Sequence, residues 1–190
     1  VSMYLKEEFL SIQGEGRFRG ELSIFIRFAK CNRVCEDLKI EYKVGDTIKY
    51  GCDSYDSVDK DFKYLWKEVA IEDLICIVKK YPDCKNIVLT GGEPLLNIKF
   101  IKTIVDFVCN LNHAGVVNVS YSMTTNAVLL DKYIDYLVAN RFHILVSLDG
   151  NEENNSYRIY QKNGRNSFWK IVENLDFIKE KFPNFFETNI

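Results

Sequence analysis

Hydrophobic and polar residues alternate in two early stretches, and each predicts a strand. Tyr4 to Ile12 forms an extended run that breaks at Gly14-Glu15-Gly16, and Leu22 to Phe28 (Leu-Ser-Ile-Phe-Ile-Arg-Phe) alternates with β-type residues. The two are expected to pair or to share a sheet. From Ala29 to about Val69 the periodicity is lost among charged, Tyr-rich and turn-prone residues, which predicts one long loop. A loop of that length in a small domain is more often functional than idle. Beyond it the period lengthens. Ile71 to Tyr81 predicts a helix, Asn86 to Thr90 a strand, and Ile98 to Leu111 a helix with Phe100, Ile101, Ile104, Phe107, Val108 and Leu111 on one face. Val116 to Met123 predicts a strand. Asp131 is expected to cap a helix carrying Tyr133, Ile134, Leu137 and Val138, followed by a strand from His143 to Leu148. Ser167 is expected to cap a last helix, with Phe168, Ile171, Val172, Leu175, Ile178 and Phe182 on one side.

Alternation of strand and helix demands parallel strands covered by helices, an α/β class, and the loops that follow such strands gather on one rim. Function is expected on that rim. The 190 residues suit a single domain, 1–190, and no repeat or linker divides them. With 25 Lys and Arg against 27 Asp and Glu, no global basic field exists to hold nucleic acid. No apolar run is long enough to span a bilayer, and the acidic start Leu5-Lys6-Glu7-Glu8 does not resemble a signal peptide, so a cytoplasmic protein without membrane contact is expected. In that compartment six Cys point to metal or redox chemistry rather than to a disulfide frame.

Three of them lie in the long loop. Cys31 and Cys35 are separated by three residues directly after a strand, and Cys52 follows after sixteen more. A fully ligated structural metal or iron–sulfur cluster wants four protein ligands, so a set of three leaves one metal position open to a substrate or cofactor. Cys76 and Cys109 fall in apolar helical runs and Cys84 just before a strand, and all three are expected to be packing residues. His113 and His143 lie at element edges and read as structural. At the end of the next strand stands Leu89-Thr90-Gly91-Gly92-Glu93-Pro94. Paired glycines let a ligand approach the backbone, Glu93 adds a carboxylate, and Pro94 fixes the turn.

Three Cys after one strand and Gly91-Gly92-Glu93-Pro94 after the next resemble the radical S-adenosylmethionine superfamily. The resemblance implies a partial (β/α) barrel of radical SAM type, here with an N-terminal β extension. It also implies a 4Fe-4S cluster on Cys31, Cys35 and Cys52, whose open iron is chelated by the amino and carboxylate groups of S-adenosylmethionine. Electron transfer from the cluster then yields a 5′-deoxyadenosyl radical that abstracts hydrogen from a substrate. By the same resemblance Gly91, Gly92 and Glu93 hold the methionine ammonium, while Thr125, Asn126 and Ser147 contact the ribose or its neighbourhood. Leu38 stands where the usual spacing has a third Cys, and Cys52 arrives after a longer insertion.

The first half resembles the 7-carboxy-7-deazaguanine synthase family through Phe9-Leu10-Ser11-Ile12-Gln13-Gly14-Glu15-Gly16, Ile24-Phe25-Ile26-Arg27-Phe28-Ala29-Lys30-Cys31-Asn32 and Cys52-Asp53-Ser54. That implies a lyase converting 6-carboxy-5,6,7,8-tetrahydropterin to 7-carboxy-7-deazaguanine, with ring contraction and loss of ammonia, in queuosine-type biosynthesis. Gln13, Glu15, Arg27 and Thr90 then inherit substrate-binding roles, and Ser54 becomes a ligand of Mg²⁺. A flavodoxin- or ferredoxin-like reductant and a homodimer are further expectations of the resemblance. The second half, through Met123-Thr124-Thr125-Asn126, Ile144-Leu145-Val146-Ser147-Leu148-Asp149-Gly150 and Ser167-Phe168, looks more like peptide-modifying enzymes of the sulfatase-maturase type. There an Arg that maps to Arg158 helps hold the S-adenosylmethionine carboxylate. Peptide modification is therefore the alternative activity, and a non-catalytic iron–sulfur module the alternative outside enzymes.

Overall fold

The computed structural model describes residues 2–35, 40–115 and 118–190. A six-stranded sheet runs in the order β6-β1-β2-β7-β8-β9, built from β1 (Ser2–Ile12), β2 (Leu22–Phe28), β6 (Lys67–Ala70), β7 (Asn86–Gly91), β8 (Ser120–Thr125) and β9 (His143–Val146). Strands β2, β7, β8 and β9 are mutually parallel, whereas β1 is antiparallel to both β2 and β6. The expected α/β class, its parallel core and the β extension at the N-terminus are all present.

Period-two patterning explains the two faces of the sheet. On β2, Ile24, Ile26 and Phe28 are buried in the core with Ile87 and Leu89 of β7 and Met123 of β8. Against them pack α1 (Ile71–Lys80) through Leu74 and Val78, α2 (Ile98–His113) through Phe100, Ile101, Ile104, Val105 and Val108, and α3 (Leu130–Ala139) through Leu130, Ile134 and Leu137. Helix α4 (Phe168–Lys181) adds Ile171 and Ile178. The opposite face carries the intervening residues in register: Phe25 beside Val88, Val88 beside Ser122, Ser122 beside His143. One step toward the rim, Arg27 sits beside Thr90 and Thr124 beside Leu145. Alternation therefore sends the apolar residues to the helices and leaves a half-polar floor on the other side.

The stretch expected to be a single loop contains short elements. These are β3 (Arg33–Val34), a hairpin of β4 (Ile40–Val44) and β5 (Thr47–Gly51), and 3-10 turns at Tyr55–Ser57 and Lys60–Leu65. Pairing of Val44 with Thr47 leaves Gly45-Asp46 as a two-residue turn, and Gly45 has a φ of 57° that suits glycine. This hairpin is hard to see in the sequence because most of its residues face solvent, so no apolar face marks it. It is anchored by the rings of Tyr42, Tyr55 and Phe62, which pack on one another. Leu38, and Val116 at the start of an expected strand, lie outside the described residues.

Both expected serine or aspartate caps need correction. Asp131 lies inside the first turn of α3, where its carboxylate takes Lys170 Nζ at 3.0 Å, and the cap position is Leu129. Ser167 does occupy the cap position of α4, but its hydroxyl donates to Arg158 O at 2.9 Å. Asn166 Oδ1 accepts from Phe168 N instead. Helix α5 (Pro183–Asn189) was not expected. Cys84 is buried as expected, whereas Cys76 is exposed on α1 and Cys109 half-buried. An apolar run around Cys76 misleads because its position falls on the outer face of an amphipathic helix.

Candidate active site

The rim is built around a buried carboxylate. Gly91 ends β7 with a φ of 99°, and Gly92 N and Glu93 N donate to Phe28 O at 2.8 Å and Lys30 O at 2.9 Å. A Cβ on Gly92 would lie 1.9 Å from Lys30 O, and one on Gly91 2.5 Å from Phe28 O. The glycines are thus required by the backbone of the segment leading into Cys31, not only by a ligand. Glu93 is fully buried. Its Oε1 accepts from Leu95 N at 3.0 Å and Thr125 Oγ1 at 2.8 Å, and its Oε2 accepts from Asn126 N at 2.9 Å. Burial pushes this carboxyl up, and its three donors pull against that rise. Glu93 therefore clamps the loop after β8 to the loop after β7 from behind the cavity wall.

Asn126 extends the clamp toward the cysteines. Its Nδ2 donates to Asn32 Oδ1 at 2.7 Å and lies 3.6 Å from Cys31 Sγ, while its backbone carbonyl accepts from Arg33 Nη1 at 3.1 Å. Asn174 of α4 holds the same loop by donating to Ala127 O at 2.8 Å. A second small sheet ties in the loop after β9, for Val34 and Arg33 of β3 pair with Ile159 and Tyr160 of β10 (Ile159–Tyr160). That loop carries Arg158, whose guanidinium meets Asp149 Oδ2 at 2.5 Å, and Tyr157, which donates to the same oxygen. Burial pushes the Asp149 carboxyl up, but the bonds from Arg158 and Tyr157 outweigh it and hold the group below the usual carboxylate range.

These loops enclose a cavity of about 380 Å³ lined by Cys31, Cys35, Cys52, Ser54, Gly91, Gly92, Thr125, Asn126, Ser147 and Arg158, together with Arg33, Asp53 and Asp149. Nine cofactor or cluster residues named from the sequence thus share one chamber with Ser54, and Glu93 stands behind it. Burial raises the Cys31 thiol to about 12, the Glu93 carboxylate adding to the effect, and burial raises Cys52 to about 11. Cys35 is raised as well, against the opposing pull of Arg33 and Arg158.

A second cavity, of about 560 Å³, opens on the sheet floor. The turn from Gln13 to Phe18 forms one wall and Phe25, Val88, Thr90, Ser122 and His143 the base. Glu15, Asp53, Thr90, Thr124 and Leu145 line both chambers, so the two share a wall. Gln13, Glu15 and Thr90 line this second cavity. Arg27 lines neither cavity among the described residues, because its guanidinium is taken by Glu7 Oε1 at 2.5 Å and Ser54 Oγ at 3.3 Å. Arg17, Arg33, Asp53, Asp149 and His143 were missed as lining residues. The rule that ligands meet the ends of parallel strands would have found Asp149, directly after β9, whereas no sequence signal marks Arg33 as buried.

The donor sets test which groups can fit. Among the described residues no three His, Cys, Asp or Glu side chains converge to hold a single metal ion. A cluster takes its cysteines at separate corners, and Cys31, Cys35 and Cys52 line one chamber. The buried Arg33 has Nε and Nη2 unpartnered, which suits an anionic occupant. Mg²⁺ at Ser54 fits poorly, since the Arg27 guanidinium already faces that hydroxyl.

A parallel sheet whose rim loops gather three thiols and a paired-glycine turn defines a cofactor-binding α/β protein. The model of the family described as Radical SAM superfamily matches residues 50–190. The chain belongs to the radical SAM superfamily, and at the level of that family an iron–sulfur cluster and S-adenosylmethionine are its cofactors. The match takes in Cys52, Gly91 to Glu93, Thr125, Asn126, Ser147 and Arg158 but begins after Cys31 and Cys35.

Among curated relatives, the 7-carboxy-7-deazaguanine synthase of Clostridium acetobutylicum is 41% identical over 90 residues, covering 47% of this chain and 33% of that protein. Those of Buchnera aphidicola subsp. Schizaphis graminum and Methanothermobacter thermautotrophicus are each 32% identical over 130 residues, covering 64% and 68% of this chain and 58% and 45% of theirs. The chain thus spans less than two thirds of the length of each. Of solved structures, native anSMEcpe with bound AdoMet and Cp18Cys peptide is similar with a TM-score of 0.60 at 20% identity, over 82% of this chain and 38% of that one. Native anSMEcpe with bound AdoMet gives 0.59 at 22%, over 83% and 40%. These likenesses describe the fold, and they agree with the expected partial barrel. Among the described residues no helix is long and apolar enough to cross a membrane.

Proposed function

We propose that this chain holds its cluster on Cys31, Cys35 and Cys52 in the smaller chamber, binds S-adenosylmethionine beside it, and acts on a small carboxylated heterocycle in the larger one, as 7-carboxy-7-deazaguanine synthases do. The shared wall carries this reading: a cofactor chamber and a chamber of small-molecule size adjoin through Glu15, Asp53, Thr90, Thr124 and Leu145. The cluster supplies a low-potential electron and S-adenosylmethionine the hydrogen-abstracting group. The protein's own share is positioning. Gly91 and Gly92 bring backbone close to the cofactor, Thr125, Asn126 and Ser147 offer polar groups to its sugar, and Arg158 faces its carboxylate. In the larger chamber Gln13 and Glu15 accept from the amide-rich edge of a pterin, with Thr90 beneath. Arg17 rather than Arg27 supplies the guanidinium for the substrate acid, because Arg27 is engaged by Glu7 and Ser54.

A second reading, peptide modification, draws on the backbone likeness to a protein solved with a bound peptide, and the first draws on the curated relatives. The two separate in one assay. Anaerobically reconstituted protein, reduced and given S-adenosylmethionine, is expected to form 5′-deoxyadenosine faster with 6-carboxytetrahydropterin and to release 7-carboxy-7-deazaguanine. Stimulation by a Cys- or Ser-containing peptide and not by the pterin supports the second reading. Cluster assembly with no cleavage under either substrate overturns both. Cys31→Ala, Cys35→Ala and Cys52→Ala are each expected to lose the brown chromophore.

A further inference from the structure

Arg33 lies between two of the thiols and is 1% exposed. Its Nη1 donates to the Asn126 carbonyl at 3.1 Å, but Nε and Nη2 have no partner, and among the described residues no carboxylate forms an ion pair with it. The titratable groups that face it are Cys35, Cys31, Glu93, Asp149 and Tyr160, with Arg158 opposing as a second cation, and Asp149 Oδ2 is taken by Arg158 and Tyr157. Glu93 already has both oxygens engaged by Leu95, Thr125 and Asn126. Arg33 lines the same chamber as the three thiols, and its Nε and Nη2 are its unpartnered donors. A buried guanidinium with donors unmet is strongly disfavoured unless an anion accompanies it. Pairing of β3 with β10 and the bond to Asn126 fix the fork in place, so it cannot turn away to water.

We propose that Arg33 is the resident countercharge of the cysteine-bound cluster and that its fixed positive charge raises the cluster's reduction potential. The inference rests on the cluster assignment above. One electron from an external low-potential reductant such as dithionite adds one negative charge to the cluster, and no bond forms or breaks. A fixed cation in a chamber poor in water favours the reduced form over the oxidised one.

The test is the midpoint potential of the reconstituted protein, followed by the visible absorbance and the electron paramagnetic resonance of the reduced state. Arg33→Gln keeps a donor for Asn126 O but removes the charge, and Arg33→Met removes both. Each is expected to shift the redox equilibrium about tenfold toward the oxidised form, roughly 59 mV for a one-electron couple. Arg33→Lys, which keeps the charge, is expected to recover most of the shift. If Arg33→Met fails to fold, the Gln and Lys pair reads the same difference.

Equal potentials in wild type and Arg33→Gln overturn the proposal. So does a Lys variant displaced as far as Gln. Unchanged potentials with weakened S-adenosylmethionine binding also overturn it, since Arg33 would then serve that carboxylate. Failure of the wild-type protein to take up any cluster removes the cluster assignment itself, and the inference with it.

Discussion

The corner formed by Gly91, Gly92, Glu93, Thr125 and Asn126 differs in kind from the thiol segment that faces it across the same chamber. In the corner every polar group named has a partner inside the protein, and the glycines sit where backbone meets backbone. The thiol segment from Cys31 to Cys35 is held by a two-residue strand pair, carries thiols whose ionisation is disfavoured by burial, and leaves part of a buried guanidinium unmatched. One side is complete before a ligand arrives. The other is completed by it.

Substitutions should expose this contrast as loss of fold on one side and loss of cofactor on the other. The largest effect is expected from Gly92→Ala, because a methyl 1.9 Å from Lys30 O must displace main chain. Destabilisation of about 3 kcal/mol or more is expected in urea unfolding. An unchanged midpoint would show that the corner is looser than its backbone contacts imply. Glu93→Gln comes next. It turns an acceptor into a donor opposite Asn126 N or Thr125 Oγ1, for an expected loss of about 1–3 kcal/mol. Retained stability with lost S-adenosylmethionine affinity would instead move Glu93 from clamp to ligand.

Asp149→Asn tests the strap over the thiols, and the half-exposed pair limits its effect to about 0.2–1 kcal/mol. The sign with pH is set by the depressed carboxyl. Its advantage over Asn is full above the unfolded value, about 3.9, and fades as pH falls through the lower folded one. An advantage that grew on acidification would contradict the assigned bond to Arg158. Cys76→Ala should change stability by less than about 0.5 kcal/mol and leave the chromophore intact, since this thiol faces solvent on α1. Bleaching there would mean that the wrong cysteines were chosen.

The contrast also explains what could be read without coordinates. Strands β2 and β7 and helices α1 and α2 announce themselves because period two and period 3.6 record which face is buried. The hairpin at Ile40–Gly51 has little buried face to record, and the sequence predicts it only as part of a loop. Residues fixed by chain order at or after strand ends, such as Gly91, Gly92, Thr125, Asn126 and Ser147, line one cavity on the rim. Arg27 did not, because its partner Glu7 comes from the antiparallel strand β1, and cross-strand pairing is invisible to a reading along the chain. Arg33 escaped for a related reason. Its burial depends on the strand pair with Ile159 and Tyr160, more than a hundred residues away.

The partition between the two chambers has a thermodynamic consequence. Since Glu15, Asp53, Thr90, Thr124 and Leu145 line both cavities, a change at any of these five positions alters both linings. Whatever free energy the first guest adds to the binding of the second, the second returns to the first in equal measure. Under the proposed function, substitutions in this partition are expected to change cofactor affinity together with substrate selectivity, whereas Gln13 and Arg17 line the larger cavity alone.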